Sequence, residues 1–203
     1  MSDQQKAAKW AFDLLQTEFC ILDTETTGLG PTAEICQIAV TSRMNEVLFN
    51  SLVCPTVPIE PDASAIHGLT AEDVAAAPTF EEVLIPLMKA IAKRDLIIYN
   101  CEFDLKLIRQ SARVHGIPLA FPTSDRRQCR IWLGGGSIQC AMLQYSAWCG
   151  EWNDYYGNYR WQKLPGGDHT ALGDCLATAK IINEMAASYK PVEPVQEYSE
   201  IDF

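Results

Sequence analysis

The chain has 203 residues, of which 48% are hydrophobic and 21% are charged, and this composition excludes a mainly disordered, collagen-like or coiled-coil protein. Its net charge of −10 excludes a strongly basic protein that coats duplex DNA. An enzyme of nucleic acids stays compatible with that charge, because bound divalent cations reverse the local sign. No apolar run approaches about 18 residues and no hydrophobic signal region begins the chain, so we expect a cytoplasmic protein without membrane contact.

Eight cysteines are spread through apolar segments, and none of them belongs to a CxxC pair. This distribution does not match the ligand spacing of a structural zinc site. We therefore expect most of the cysteines to be small core residues of a reduced protein.

Hydrophobic patterning predicts helices and strands along most of the chain. The first half predicts a helix over 3–16, strands over 19–28, 34–43 and 46–55, a Pro-rich irregular segment over 57–74 and a helix over 79–93. The second half predicts a strand over 95–100, a helix over 103–116, an irregular segment over 118–139, an ambiguous segment over 140–150, an aromatic segment over 151–163 and a last helix that begins at Asp168 or His169.

The order of these elements predicts one α/β domain over 1–190, followed by a disordered acidic tail over 191–203. The first three strands predict an antiparallel meander, with Asn45 near its second turn. Strands and helices then alternate, which favours a mixed sheet. In such a sheet the chemistry is expected at the carboxyl ends of the strands.

Carboxylates occur at three places where apolar residues surround them. Asp23 and Glu25 lie at the end of the first strand. Asp104 follows the strand over 95–100, and Asp174 lies on the apolar side of the last helix. Buried carboxylates are costly unless they are paired or bind a metal, and an all-oxygen ligand set favours Mg²⁺ or Mn²⁺. The sequence therefore predicts a metal site if the fold brings the four together.

Two histidines accompany these acids. His169 precedes Asp174 by five residues, a place that suits a general base beside a metal ligand. Taken alone, His169 is explained better as a capping or surface residue than as a base. His67 fits a structural role or a substrate contact.

Three segments together resemble the motifs of the DEDD exonuclease superfamily, histidine subclass, whose familiar member is the proofreading epsilon subunit of bacterial DNA polymerase III. They are FCILDTETTG, YNCEFDLKLI and DHTALGDCLAT. The family pattern is D-x-E, then F-D after a strand, then H-x4-D at the start of a helix. Order and spacing both match over about residues 18–188, and AIHGLTAED resembles the segment between the first two motifs.

The resemblance implies a ribonuclease-H-like mixed sheet flanked by helices, with two divalent cations, Mg²⁺ or Mn²⁺. It implies that Asp23 bridges both ions, that Glu25 and Asp174 bind the ion that activates water, and that Asp104 helps to hold the second. His169 is the implied general base. The implied reaction is hydrolysis from the 3′ end of single-stranded DNA or frayed ends, with release of nucleoside 5′-monophosphates. Candidate substrate contacts lie in the same segments: Thr24, Thr26, Gly28, Ile66, His67, Asn100 and Phe103.

Two other functions stay open. One is an RNA-trimming exonuclease of the same superfamily, and the other is an inactive scaffold that binds nucleic acid, which the complete set of acids disfavours. Protein partners and pathway are not specified by the sequence. The segment over 129–163 resembles stand-alone bacterial and phage exonucleases more than the polymerase subunit. Its aromatic residues over 145–161 are expected either to hold single strands or to fill the core.

Overall fold

A computed structural model of the chain describes residues 1–117, 119, 129–130 and 136–191, and these contain seven helices and eight strands. The helices are α1 (Asp3–Leu14), α2 (Pro61–His67), α3 (Ala71–Val74), α4 (Phe80–Ile91), α5 (Cys101–Val114), α6 (Ala141–Cys149) and α7 (Ala171–Ala187). The strands are β1 (Phe19–Thr26), β2 (Ile35–Ser42), β3 (Val47–Leu52), β4 (Asp95–Ile98), β5 (Cys129–Arg130), β6 (Ser137–Cys140), β7 (Trp152–Asn153) and β8 (Asn158–Tyr159).

Six strands form one sheet in the order β3-β2-β1-β4-β6-β5. The first three pair antiparallel, and Asn45 takes a left-handed backbone (φ 63°) in the turn between β2 and β3. β4 and β6 continue the sheet parallel to β1, and β5 pairs antiparallel with β6. The predicted meander and the predicted mixed α/β sheet are both confirmed.

A separate core covers each face of this sheet. Ile21 and Leu22, neighbours on β1, point to opposite faces because successive side chains of a strand alternate. The core around Leu22 is completed by α4 and α5, whereas the core around Ile21 is completed by α1, α6 and α7. The sheet is therefore buried between helices on both sides. None of the described helices is long and apolar enough to cross a membrane.

Five parts of the prediction need correction or fall outside the described residues. α2 forms in the segment predicted to be irregular, since Pro61 suits the first position of a helix and Gly68 ends it in a left-handed conformation (φ 76°). The ambiguous segment over 140–150 is helical, as α6. α7 begins at Ala171, because Thr170 supplies the cap and accepts a hydrogen bond from the Gly173 N–H. The segment over 118–139, predicted to be irregular, forms β5 and most of β6 where it is described, because these residues pair with each other and with β4. The rest of it, and the predicted tail over 191–203 beyond residue 191, lie outside the described residues.

A buried hydrogen bond fastens α5 to the start of β2. The Ile35 N–H donates to Ser111 Oγ at 2.9 Å, and both residues are buried. Ile35 begins β2, and its N–H has no access to water there. The serine hydroxyl therefore satisfies a backbone donor that the sheet leaves without a partner.

We predict that Ser111→Ala lowers the free energy of unfolding by about 1–3 kcal/mol, because it leaves that N–H buried without an acceptor. Thr41→Val is the matched control, since the buried Thr41 hydroxyl has no hydrogen-bond partner among the described residues. We expect its stability to equal or exceed that of the wild type. Urea denaturation measures both, and equal losses in the two variants would contradict the assignment.

Candidate active site

The carboxyl end of β1 carries two of the predicted acids on one face of the sheet. Asp23 and Glu25 are both half-buried there, and alternate residues of a strand face the same way. α7 packs on that face and brings Asp174 against them. Oxygen atoms of the three carboxylates all lie within 4.8 Å of one another. We call Asp23, Glu25 and Asp174 the carboxylate cluster.

Asp104 is buried beside this cluster and has a separate partner. Its Oδ1 accepts a hydrogen bond of 2.7 Å from the Thr24 hydroxyl. Thr24 lies between the two acids of β1 and points to the opposite face of the sheet, where α5 carries Asp104. The fold therefore brings all four predicted acids to one edge of the sheet, with three together and the fourth held next to them.

The burial and proximity of these groups disfavour their charged forms. Burial raises the pKa of Asp23 well above its usual value, and the charges of Asp104, Asp174 and Glu25 raise it further. Burial, with the nearby Asp174 and Asp104, raises the pKa of Glu25 to about 8. Burial also raises the pKa of Asp104 to about 7, although the Thr24 hydrogen bond opposes that rise. The site concentrates negative charge that a cation would neutralise.

The loop before α7 orients Asp174. Its Oδ1 accepts hydrogen bonds from the backbone N–H groups of Asp168 (3.0 Å) and His169 (3.2 Å). A Cβ on Gly167 would lie 2.7 Å from that same oxygen, so only glycine allows the loop to approach it so closely. His169 itself is exposed and has a left-handed backbone (φ 61°), which histidine tolerates better than most residues.

Ile66 and His67, the predicted substrate contacts at the end of α2, differ in environment. Ile66 is 59% exposed. His67 Nδ1 accepts a hydrogen bond from the Leu69 N–H at 3.1 Å, so Nε2 carries the proton and donates to the Thr26 carbonyl at 3.1 Å. The histidine therefore fastens the loop to the end of β1 and leaves Ile66 facing solvent.

The other predicted substrate contacts also lie at this edge of the sheet. The Thr26 hydroxyl donates to the Gly28 carbonyl at 2.9 Å, which fixes the turn after β1. Asn100 is half-buried at the start of α5 and makes no side-chain capping bond there. Phe103 is half-buried against the core, with the Lys106 ammonium 5.9 Å from its ring centroid.

Sequence reasoning missed Gln37, which joins β2 to the beginning of α7. Its Oε1 accepts a hydrogen bond from the Ala171 N–H at 3.0 Å. This bond fixes where α7 starts, and therefore where Asp174 lies. The available signal was an amide residue inside the otherwise apolar strand ICQIAV.

The donor set of the cluster fits a hard divalent cation. All of its atoms are carboxylate oxygens, the ligands that Mg²⁺ and Mn²⁺ prefer. These oxygens lie close enough together to share one coordination sphere, and at that distance the negative charges of the carboxylates repel one another. Asp23, Glu25 and Asp174 are therefore the residues that could hold such an ion, with Asp104 adjacent.

Comparisons with known proteins give consistent relatives. The sequence profile of a family described as Exonuclease, of the RNase T type, matches residues 20–182. The uncharacterized exonuclease CP81 of Escherichia phage 186 is 34% identical over 196 residues, which cover 90% of this chain and 93% of that protein. The DNA polymerase III subunit epsilon-like protein of Rhodobacter capsulatus is 31% identical over 180 residues, which cover 85% of this chain and 24% of that protein.

Among solved structures, Exonuclease X in complex with 5′ overhanging duplex DNA is similar, with a TM-score of 0.54 and 28% identity over 84% of this chain and 92% of that one. Together with the family match, this structure confirms the ribonuclease-H-like fold. The phage relative matches over nearly its whole length, and the epsilon-like protein over about a quarter. The expected similarity to stand-alone exonucleases is thereby confirmed.

We predict that the metal-free protein loses stability as pH rises from about 5 to above 8. The folded-state pKa of Glu25, about 8, exceeds the unfolded value of about 4.3. Between these values the folded state binds more protons than the unfolded state, so a rise in pH favours unfolding. Melting temperatures in a chelator test this.

Glu25→Gln should reduce that pH dependence, because the amide does not ionise, and the raised pKa values of Asp23 and Asp104 should keep the remainder. Glu72→Gln, an exposed glutamate of α3, should leave it unchanged. If the melting temperature of the metal-free protein stays constant or rises between about pH 5 and pH 8, repulsion between the carboxylates does not destabilise the fold.

Proposed function

The chain belongs to the RNase T-type exonuclease family, and on this premise we propose that it is a metal-dependent 3′–5′ exonuclease that degrades single-stranded DNA to nucleoside 5′-monophosphates. The observation that carries the proposal is the carboxylate cluster, whose oxygens lie within 4.8 Å of one another at the carboxyl end of β1. We assign the activity to one exonuclease domain over 1–190, in the cytoplasm, where cysteines stay reduced.

We propose that Asp23, Glu25 and Asp174 would hold two divalent cations, Mg²⁺ or Mn²⁺. Asp104 assists at the second ion, and Thr24 keeps its carboxylate turned to the site. When bound, the cations supply the Lewis acidity that lowers the pKa of water and offsets the charge of the scissile phosphate. The loop N–H groups of Asp168 and His169 hold the Asp174 carboxylate in position throughout.

We propose His169 as the general base, which places the enzyme in the histidine subclass. Its side chain is exposed on the loop that orients Asp174, so it can approach a water molecule at the cluster. Its imidazole would take the proton of the attacking water, as a general base does.

The terminal nucleotide is proposed to lie between the end of β1 and the loop at the end of α2. Ile66 is the exposed apolar group there and would pack on the terminal base or sugar. His67 would act by positioning Ile66, because both of its ring nitrogens are already bonded. Thr24, Thr26, Gly28, Asn100 and Phe103 would shape the floor of this subsite.

Digestion of end-labelled oligonucleotides tests the proposal. We expect Mg²⁺-dependent release of a mononucleotide from 3′-labelled single-stranded DNA, faster than from blunt duplex DNA or RNA. Asp23→Asn should lower the rate by several orders of magnitude while the fold is kept, because one of several repelling charges is removed. Asp13→Asn, on the exposed face of α1, is the control.

Other outcomes of this assay would replace the proposal with a defined alternative. Faster cleavage of RNA would assign the chain to RNA trimming. Release of the label first from the 5′ end would reverse the direction. Binding without cleavage in either metal would make it a scaffold.

The role of His169 is tested by His169→Asn, because asparagine also tolerates the left-handed backbone and so separates chemistry from folding. We expect the rate to fall by about 10²–10⁴-fold, the usual range for loss of a general base. The affinity for Mn²⁺, measured by calorimetry, should stay within twofold. A large loss of Mn²⁺ affinity would make His169 a ligand, contrary to the proposal.

A further inference from the structure

Four exposed aromatic side chains lie around one short hairpin that the proposed chemistry does not use. Around the hairpin of β7 and β8, the exposed fractions are 51% for Trp152, 87% for Tyr155, 71% for Tyr156 and 65% for Trp161. The other aromatic residues of the predicted segment, Tyr145, Trp148 and Tyr159, are half-buried. We call the four exposed residues the aromatic platform.

We propose that the aromatic platform stacks on the bases of the strand upstream of the nucleotide being removed. Its ligand class is single-stranded nucleic acid of any sequence. This inference rests on the proposed exonuclease function and adds to it a second, non-catalytic site that distinguishes single strands from duplexes.

The rings are ordered by the hairpin itself. Asn153 Oδ1 accepts a hydrogen bond from the Tyr155 N–H at 3.1 Å and fixes the turn. Tyr155 and Tyr156 meet edge to face at 4.8 Å between centroids and 89° between planes, and Trp152 meets Tyr159 at 5.1 Å and 82°. In an edge-to-face pair, one ring contacts its neighbour only by its edge. Broad ring faces therefore stay available, at little additional ordering cost on binding.

Two platform residues, Trp152 and Trp161, line a groove of about 810 Å³, together with Trp10, Gln139 and Gln144. Gln139 is held by Trp10, whose Nε1–H donates to Gln139 Oε1. Amide side chains next to flat rings match the chemistry of nucleobases, which combine a π-face with hydrogen-bonding edges. The groove volume and lining therefore suit bases better than a phosphate backbone.

The sheet places this groove on the same face as the carboxylate cluster. Ile21 pairs with Ile97, which pairs with Gln139, so the three side chains share a face. Asp23 lies two residues beyond Ile21 on that face. Two strand spacings of about 4.8 Å and two residues of about 3.3 Å put the backbone of Asp23 about 12 Å from that of Gln139. A strand of a few nucleotides can span that distance.

The chain also connects the aromatic platform to the carboxylate cluster directly. The Tyr99 hydroxyl donates to the Gln162 carbonyl at 2.8 Å, immediately after the platform residue Trp161. Tyr99 follows β4, whose carboxyl end lies at the proposed site. From Gln162 the chain continues to the loop of His169 within seven residues. A base on the platform would therefore guide the strand along this segment toward the cluster.

The local charge supports stacking over phosphate binding. The hairpin and its flanks carry Glu151 and Asp154 against Arg160 and Lys163, with no net positive charge. Base stacking does not depend on charge and is worth about 1–3 kcal/mol per base. Only unpaired bases offer free faces to such a surface. A protein with a net charge of −10 would gain in this way an affinity for single strands that its electrostatics does not supply.

The test compares Tyr155→Ala/Tyr156→Ala and Trp161→Ala with Tyr155→Phe/Tyr156→Phe, which keeps the rings and removes only the hydroxyls. Affinity for a fluorescent 20-nucleotide oligothymidylate is measured by anisotropy in Ca²⁺ without Mg²⁺. Hydrolysis of the p-nitrophenyl ester of thymidine 5′-monophosphate is measured in Mn²⁺. This ester is too small to reach the platform, so it reports the catalytic site alone.

We expect the alanine variants to raise Kd for the oligonucleotide by about 5–100-fold, as loss of stacking on one base predicts. The phenylalanine variant should bind within twofold of the wild type, and all variants should hydrolyse the ester at the wild-type rate with unchanged melting temperature. Unchanged oligonucleotide affinity in both alanine variants would overturn the proposal and leave the surface to a protein partner. Failure of the wild type to hydrolyse both the ester and the oligothymidylate in Mn²⁺ would instead overturn the exonuclease function.

Discussion

Electrostatic repulsion within the carboxylate cluster is the constraint on which the rest of the site depends. Three carboxylates within 4.8 Å, half-buried beside a fourth, are unfavourable as free anions, and the pKa of every one of the four is raised. Such an arrangement persists because the surrounding fold is stable enough to impose it. The same repulsion is the source of cation affinity, because a bound ion removes it. The same arrangement of carboxylates therefore lowers the stability of the metal-free protein and raises its affinity for metal.

The sheet imposes this geometry through its central strand. β1 lies between β2 and β4: β4 pairs with its first half, over Phe19–Leu22, and β2 pairs with it through Asp23 and Glu25 to Thr26. Asp23 and Glu25 face the core that holds α7, while Thr24 faces the helix that carries Asp104. Side chains of this one strand therefore contact the helices on both faces of the sheet. Gln37 and the loop N–H groups then set the position of Asp174 from the neighbouring strand and from its own loop.

The sequence predicted the parts of this arrangement that local patterns encode, and missed those that tertiary contacts decide. An apolar strand that ends in acids identified Asp23 and Glu25, and the spacing of His169 to Asp174 identified the last motif. The start of α7 was predicted too early, because Asp168, His169 and Thr170 are adjacent and each can cap a helix. Thr170 is the cap in the structure, and the hydrogen bond from the Ala171 N–H to Gln37 fixes the first helical residue. The role of the aromatic segment was left open because large rings serve a core and a binding surface equally, and only their exposure separates the two.

Crystallography of the metal-loaded protein shows directly whether the carboxylate cluster holds two divalent cations. Crystals grown with Mn²⁺ and a nucleoside 5′-monophosphate should show two anomalous-scattering peaks about 4 Å apart. Asp23 should contact both peaks, and Glu25 and Asp174 should contact one. Absence of any peak at these carboxylates, or peaks bound at other residues, would contradict the account.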